Sequence, residues 1–173
     1  MRKVQTTAGT RTRGFTLVEL MVTIVVLVVL VSVAVPSFDN IRLSSRLTSY
    51  ATDLVAGSQL ARSEAIKRNA AVTLCASANG TACATNGQWE AGWIVISSGG
   101  QVIQKQPATA SGYQIRDGAG LSALSFDATG VGGTAADITI CRASPVGNQE
   151  RVVKISATGR SSITRTSVGT CGA

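Results

Sequence analysis

The chain has 173 residues, of which 14% are charged and 4% aromatic, with four Cys, 18 Gly and no His. Without His, neither a Ser-His-Asp nor a Cys-His arrangement can be built, and no C-x-x-C pair starts a zinc site. The formal charge of +7 is mostly N-terminal: Arg2, Lys3, Arg11 and Arg13 precede Phe15 and no acid comes before Glu19, so overall basicity is no argument for nucleic acid.

The first element is an apolar run from Phe15 to Val35, whose only polar members are Thr16, Glu19, Thr23 and Ser32. It is long enough to cross a hydrocarbon core of ~30 Å. The basic residues ahead of it predict a cytoplasmic leader, with the bulk of the chain on the other side. An ordinary signal peptide is the alternative, since Ser32-Val33-Ala34 offers small residues for cleavage. The run exceeds a typical apolar core of about 7–15 residues, however, and an acid lies inside it. A charge at mid-bilayer costs roughly 2.5–3.5 kcal/mol, and Glu19, though nearer the end, needs a named partner.

Gly14-Phe15-Thr16-Leu17-Val18-Glu19 resembles the leader junction of type IV pilins and type II secretion pseudopilins. The resemblance implies cleavage between Gly14 and Phe15 by the prepilin peptidase, N-methylation of Phe15, and retention of the apolar run as an assembly helix. It also implies that Glu19 pairs with the N-terminal amine of a neighbouring subunit. That supplies the partner which burial of a charge demands. Pro36 falls where pilins commonly carry a helix-kinking proline, and Pro removes a backbone donor.

Beyond Pro36, Leu43, Leu47, Tyr50, Leu54, Gly57, Ala61 and Ala65 recur at spacings of three and four, which predicts a helix from Thr16 to about Asn69 with one apolar stripe. From Ala71 the period changes. Strands are expected at 72–75, 89–97, 102–105, 113–116, 121–126, 137–141 and 151–156, separated by Gly, Asn and Pro clusters. A long helix followed by consecutive short strands predicts an α+β fold with an antiparallel sheet. The expected organisation is a leader over 1–14, a transmembrane half-helix over 15–35, an amphipathic half-helix over 36–69 and a β-rich domain over 70–173.

Four Cys in an exported domain favour disulfides. Three pairings are open; the sequence-local choice joins Cys75 to Cys83 and Cys141 to Cys171. Trp89 and Trp93, four apart in an expected strand, would point to one side, either as a stacking platform for single-stranded nucleic acid or as core. Core packing is favoured, because large aromatics are scarce elsewhere. Asn79-Gly80-Thr81 reads as a turn.

The segments 61–69, 72–75 and 92–95, with Ala157-Thr158-Gly159-Arg160, resemble the FimT/GspH branch of minor pilins and pseudopilins. The resemblance implies a non-enzymatic subunit without cofactor or metal. Its partners would be other minor and major pilins, the prepilin peptidase, the assembly platform and, before assembly, inner-membrane lipid. The chain would be a single-pass inner-membrane protein with a periplasmic C-terminal domain, and later part of a pilus tip or initiation complex. A pseudopilin of a type II secretion system is the alternative. FimT-like pilins of competent bacteria bind DNA through a Gly-Arg-x-Arg tail. Here Gly159-Arg160 is kept, Ser162 replaces the second Arg, and Arg165 follows. Arg142, Arg151, Lys154, Arg160 and Arg165 against Glu150 alone make the C-terminal third basic. Cations on an exposed turn at 159–162 and a Ser/Thr-rich loop at 161–170 would suit DNA phosphates.

Overall fold

The structure, a computed structural model, describes residues 14–167 and Cys171; for residues 35–37 it describes the backbone alone. The expected leader lies outside the described residues except for Gly14, and so does the side chain of Pro36 on which the kink rests. The chain divides into two units, one ending at Asn40 and one beginning at Ile41.

One helix, α1 (Leu17–Arg68), begins in the first unit and ends in the second. The described side chains up to Ala34 are exposed, as suits a helix whose solvent is lipid. From Ile41 onward the apolar stripe is buried. Leu43, Leu47, Leu54, Ala61 and Ala65 are all at most 1% exposed, and Ala51 and Ser58 join them. The helix stops at a Schellman turn, in which Ala70 donates to the Ala65 carbonyl and Asn69 to that of Ile66. Asn69 supplies the positive φ, 48°, that this turn needs.

Eight strands follow: β1 (Val72–Ala76), β2 (Trp93–Ser97), β3 (Val102–Gln106), β4 (Tyr113–Asp117), β5 (Ala123–Phe126), β6 (Ala136–Arg142), β7 (Glu150–Ile155) and β8 (Ser161–Thr166). They form two antiparallel sheets, ordered β3-β2-β1-β5 and β4-β6-β7-β8. Val72, Leu74, Val95, Leu124 and Phe126 line the inner face of the first sheet; Ile115, Ile138, Ile140, Val153 and Ile155 line that of the second. Together with the helix stripe they make one core cluster.

Two expectations need correction. The strand expected over 89–97 is split: Trp89–Ala91 is a turn of 3-10 helix, and β2 starts only at Trp93. Gly92 turns the chain between them at φ 112°. A Cβ there would stand 2.8 Å from the Gln106 carbonyl oxygen and 2.9 Å from that of Ser77, so only Gly fits. The loop expected over 161–170 is strand β8 as far as Thr166; residues 168–170 lie outside the described residues. Its Ser/Thr content reads as loop, yet Ile163, Thr164 and Thr166 are β-branched and the segment completes a ladder with β7. Pairing with a partner strand outweighs the polar composition.

Candidate functional site

At the N-terminal end, Thr16 caps α1: its Oγ1 accepts the Glu19 backbone N–H at 3.2 Å. Thr16 and Glu19 therefore occupy the N-cap and third positions of a capping-box sequence, Thr-x-x-Glu. A carboxylate in the first turn also meets the partial positive charge of the helix N-terminus. Sequence reasoning passed over this local role, although the spacing of Thr16 and Glu19 carried the signal. The side chains of Phe15 and Glu19 are both exposed, and nothing stands within 4 Å of a Cβ built on Gly14.

In the domain from Ile41, both disulfides join sequence-local partners. Cys75–Cys83 closes the loop after β1, and Cys141–Cys171 ties the tail to β6. Inside the first loop, Asn79 Oδ1 accepts from the backbone of Thr81 at 2.9 Å and Ala82 at 3.1 Å, so Asn79 builds the expected turn. Trp89 and Trp93 are 0% and 2% exposed. Trp89 Nε1 donates to the Leu121 carbonyl at 2.8 Å. Neither ring offers a face to a nucleobase; both are core.

The five cations of the C-terminal third do not share one surface. Arg151 is 5% exposed and faces the helix, in line with Val153 and Ile155. Its Nε donates to Thr48 Oγ1 at 3.2 Å, its Nη2 to Ser44 Oγ at 2.9 Å and its Nη1 to the Glu150 carbonyl at 2.9 Å. Burial, with the Arg165 charge behind it, holds the Arg151 pKa below the usual guanidinium value. Arg165 stands opposite Arg151 in the register and so leans the same way; its Nη2 donates to Gln149 Oε1 at 3.0 Å. Arg142 closes β6 opposite Tyr113.

Lys154 and Arg160 lie on the other face. Lys154 stands opposite Asp137 on β6 and Ser162 on β8, with its Nζ 3.4 Å from Asp137 Oδ2. Arg160 closes the β7–β8 turn: Ser156 donates to its carbonyl at 2.9 Å, and its own N–H donates to Ser156 Oγ at 3.0 Å. Asp137, Lys154, Ser156, Arg160 and Ser162 line an open concavity of about 360 Å³. Ser162, at the position of the second Arg in the Gly-Arg-x-Arg pattern, thus has Lys154 directly across the ladder, a neighbour that sequence spacing does not display.

The model of the type II transport protein GspH family matches residues 50–159, well over half of the chain. The chain belongs to the GspH family. The prokaryotic N-terminal methylation motif matches residues 9–35. This member of the GspH family is a minor pilin or pseudopilin, a membrane-anchored subunit of a type IV pilus or of a type II secretion filament. Its fold is shared with the type IV minor pilin FimU of Pseudomonas aeruginosa at 25% identity and a TM-score of 0.55, covering 68% of this chain and 92% of that one. It is also shared with the minor pseudopilin EpsH of the Vibrio cholerae type 2 secretion system at 12% identity and a TM-score of 0.51, covering 69% and 96%. No curated protein matches the chain. Members of the GspH family are structural proteins, and among the described residues no group of three His, Cys, Asp or Glu is placed to hold a metal.

Proposed function

We propose that the chain is a minor pilin of a type IV pilus, cut between Gly14 and Phe15 and methylated on Phe15. Residues 15–35 span the inner membrane, with the domain after them in the periplasm, until the subunit joins a tip or initiation complex with other pilins. The observation that carries this reading is Glu19. It is a carboxylate on an apolar helix whose described side chains up to Ala34 are all exposed, one turn from the residue that cleavage makes N-terminal. In a filament that helix is buried among others, and a buried carboxylate needs a cation; the Phe15 amine of a neighbour is the nearest chemistry that fits. A pseudopilin of a type II secretion filament is the alternative; the pilus is preferred for the resemblance of the four Cys and of Thr158-Gly159-Arg160 to the FimT side of the family.

Glu19→Gln tests the charge apart from the cap, because Gln serves a capping box as Glu does. The expected result is normal membrane insertion with incorporation into filaments lost. Normal incorporation of Glu19→Gln would refute the pairing. A mature chain whose mass begins at methylated Phe15 is the companion result.

A second reading, DNA capture, is favoured by one observation: Lys154 faces Ser162 across the ladder beside Arg160. Two cations and the hydroxyls of Ser156 and Ser162 suit phosphate oxygens, and Asp137 limits the charge. Residues 41–173 are a compact unit and serve for the assay. Binding should weaken in the Lys154→Ala/Arg160→Ala variant and fall steeply with salt in the parent. Equal binding by variant and parent excludes this face.

A further inference from the structure

We infer that the free edge of β8 takes an added strand: an extended segment of a neighbouring filament subunit, with an apolar β-branched side chain beside Ile163 and a carboxylate beside Arg165. The two sheets have four edges among the described residues, β3, β5, β4 and β8. An open edge is a row of unpaired N–H and C=O groups, which folded proteins blunt with bulges, Lys, Pro or a covering segment. Three of the four are blunted in these ways. β3 shifts register against β2 between Val95 and Ile96, carries exposed Lys105 and runs into Pro107. The chain after β5 folds back to pair Phe126 with Gly132. On β4, the Ile115 N–H donates to Glu90 Oε2 at 3.4 Å, and Arg116 Nη2 lies 2.7 Å from Glu90 Oε1.

β8 has none of these devices. Ser161–Thr166 keeps an unbroken register with β7 and contains no Pro, Gly or Lys; its one charged side chain, Arg165, is turned toward Gln149. The Ser156 N–H donates to the Arg160 carbonyl at 2.9 Å, so the ladder starts on a bonded pair. Bonded and non-bonded pairs then alternate. Ser162, Thr164 and Thr166 therefore bond to β7, while the N–H and C=O of Ser161, Ile163 and Arg165 point away from it. Among the described residues no hydrogen bond reaches these outward backbone groups. Cys171, tied to Cys141 on β6, lies across β7 from the free edge.

The side chains of the same three residues face α1. Ser161 Oγ stands 2.7 Å from Ser58 Oγ, and Ile163 is opposite the buried Val153 yet 41% exposed. The apolar face of the sheet thus runs one strand beyond its cover. A strand laid along β8 would meet the open N–H and C=O groups and set a side chain beside Ile163. Charge selects that strand. The exposed charges of the β7–β8 hairpin, Lys154, Arg160 and Arg165, are all positive, and its one acid, Glu150, is 4% exposed. Carboxylates on the incoming segment complement them.

The test is residue-resolved amide hydrogen exchange on the full chain in detergent micelles. The probe is the peptide Thr-Glu-Thr-Val-Thr-Glu-Thr, capped at both ends, which presents Glu, Val and Glu on one face in either orientation. In the free chain the amides of Ser161, Ile163 and Arg165 should exchange fast and those of Ser162, Thr164 and Thr166 slowly. Probe at ten times its Kd should slow the first three about tenfold. The same peptide with every backbone nitrogen methylated should slow none. Ile163→Pro removes an outward N–H that β7 does not use, a place where an edge strand tolerates Pro. It should abolish the protection by the probe and leave Ser162, Thr164 and Thr166 slow, while Ile163→Val keeps both. Three results would overturn the inference. The amides of Ser161, Ile163 and Arg165 could already be slow in the free chain, which would mean that the chain covers its own edge. The probe could leave them fast, or the methylated peptide could protect them equally, in which case no strand is added.

Discussion

Gly57 on α1 and Trp93 on β2 are in direct contact: a Cβ at Gly57 would stand 2.6 Å from both Cη2 and Cζ3 of the indole. The helix backbone itself is therefore the surface against which the ring packs. Trp93 is 2% exposed, and the residues around Gly57 in the stripe, Leu54 and Ala61, are fully buried.

Gly57→Ala sets two effects against each other. Helix propensity favours Ala by about 1 kcal/mol. Overpacking of a full core costs about 1–3 kcal/mol, and the 2.6 Å approach puts this site at the upper end. The expected net outcome is destabilisation, larger for Gly57→Leu, read as a lower urea midpoint for residues 41–173. A midpoint at or above that of the parent would mean that the helix can lift off the ring at no cost.

Arg151 is a tie between helix and sheet. Arg151→Ala removes three hydrogen bonds, to Ser44, Thr48 and the Glu150 carbonyl, and opens a gap beside Val153. A loss of about 2–4 kcal/mol is expected, since partners of a buried charged donor are left unpaired. Differential scanning calorimetry checks it. Lys154→Ala, on the exposed face, should change the melting temperature little by comparison.

Two carboxylates make stability depend on acid. Asp127, after β5, accepts from the Thr129 hydroxyl at 2.6 Å, from the Thr129 backbone at 2.8 Å and from Val131 at 3.1 Å. The Thr129 hydroxyl, then the Val131 N–H, hold its carboxyl below the ordinary range. Glu64 is lowered chiefly by Arg68, whose Nε is 2.7 Å away, and further by Lys67. A depressed carboxylate stabilises the fold fully above its unfolded pKa of about 4, and that contribution is lost as the pH falls through the lower folded value. Unfolding midpoints should thus be level above about pH 5 and decline below about pH 4. Asp127→Asn should flatten part of that decline; an unchanged profile in Asp127→Asn/Glu64→Gln would remove both groups as its cause.

The face around Arg160 allows a gain-of-function experiment. Ser162 is exposed opposite Lys154, so Ser162→Arg adds a cation without disturbing the ladder. If DNA is held there, affinity should rise and the slope of log K against log salt should steepen by about 0.7–0.9, the value of one added phosphate contact. An unchanged slope would show that phosphates do not lie on this face.

Much of the fold was legible because it is written in local periods. The stripe from Leu43 to Ala65 follows the 3.6-residue repeat and is buried as that repeat requires, Tyr50 being half-buried. Seven of the strands announce themselves as apolar runs between turn residues. β8 does not: Ser161–Thr166 has one large apolar side chain, Ile163, and becomes a strand by completing the ladder of β7. Trp89 misled in the opposite direction, since a large aromatic four residues ahead of the Trp93–Ile96 run suggests an earlier strand start while Gly92 breaks the chain before one can form.

The candidate site divides along the same line. Glu19 within the apolar run, the Gly14-Phe15 junction and the Thr16–Glu19 spacing are all local, and sequence alone determines them because helix caps and membrane segments depend on near neighbours. The fate of the basic residues is not local. Arg151 and Lys154 are three apart on one strand and look alike in sequence. The alternation of the strand sends Arg151 into the helix and Lys154 out to Asp137 and Ser162. Only the register between β6, β7 and β8 decides which charges are structural and which face outward, because register is set by long-range pairing against a buried face rather than by any residue's own preference.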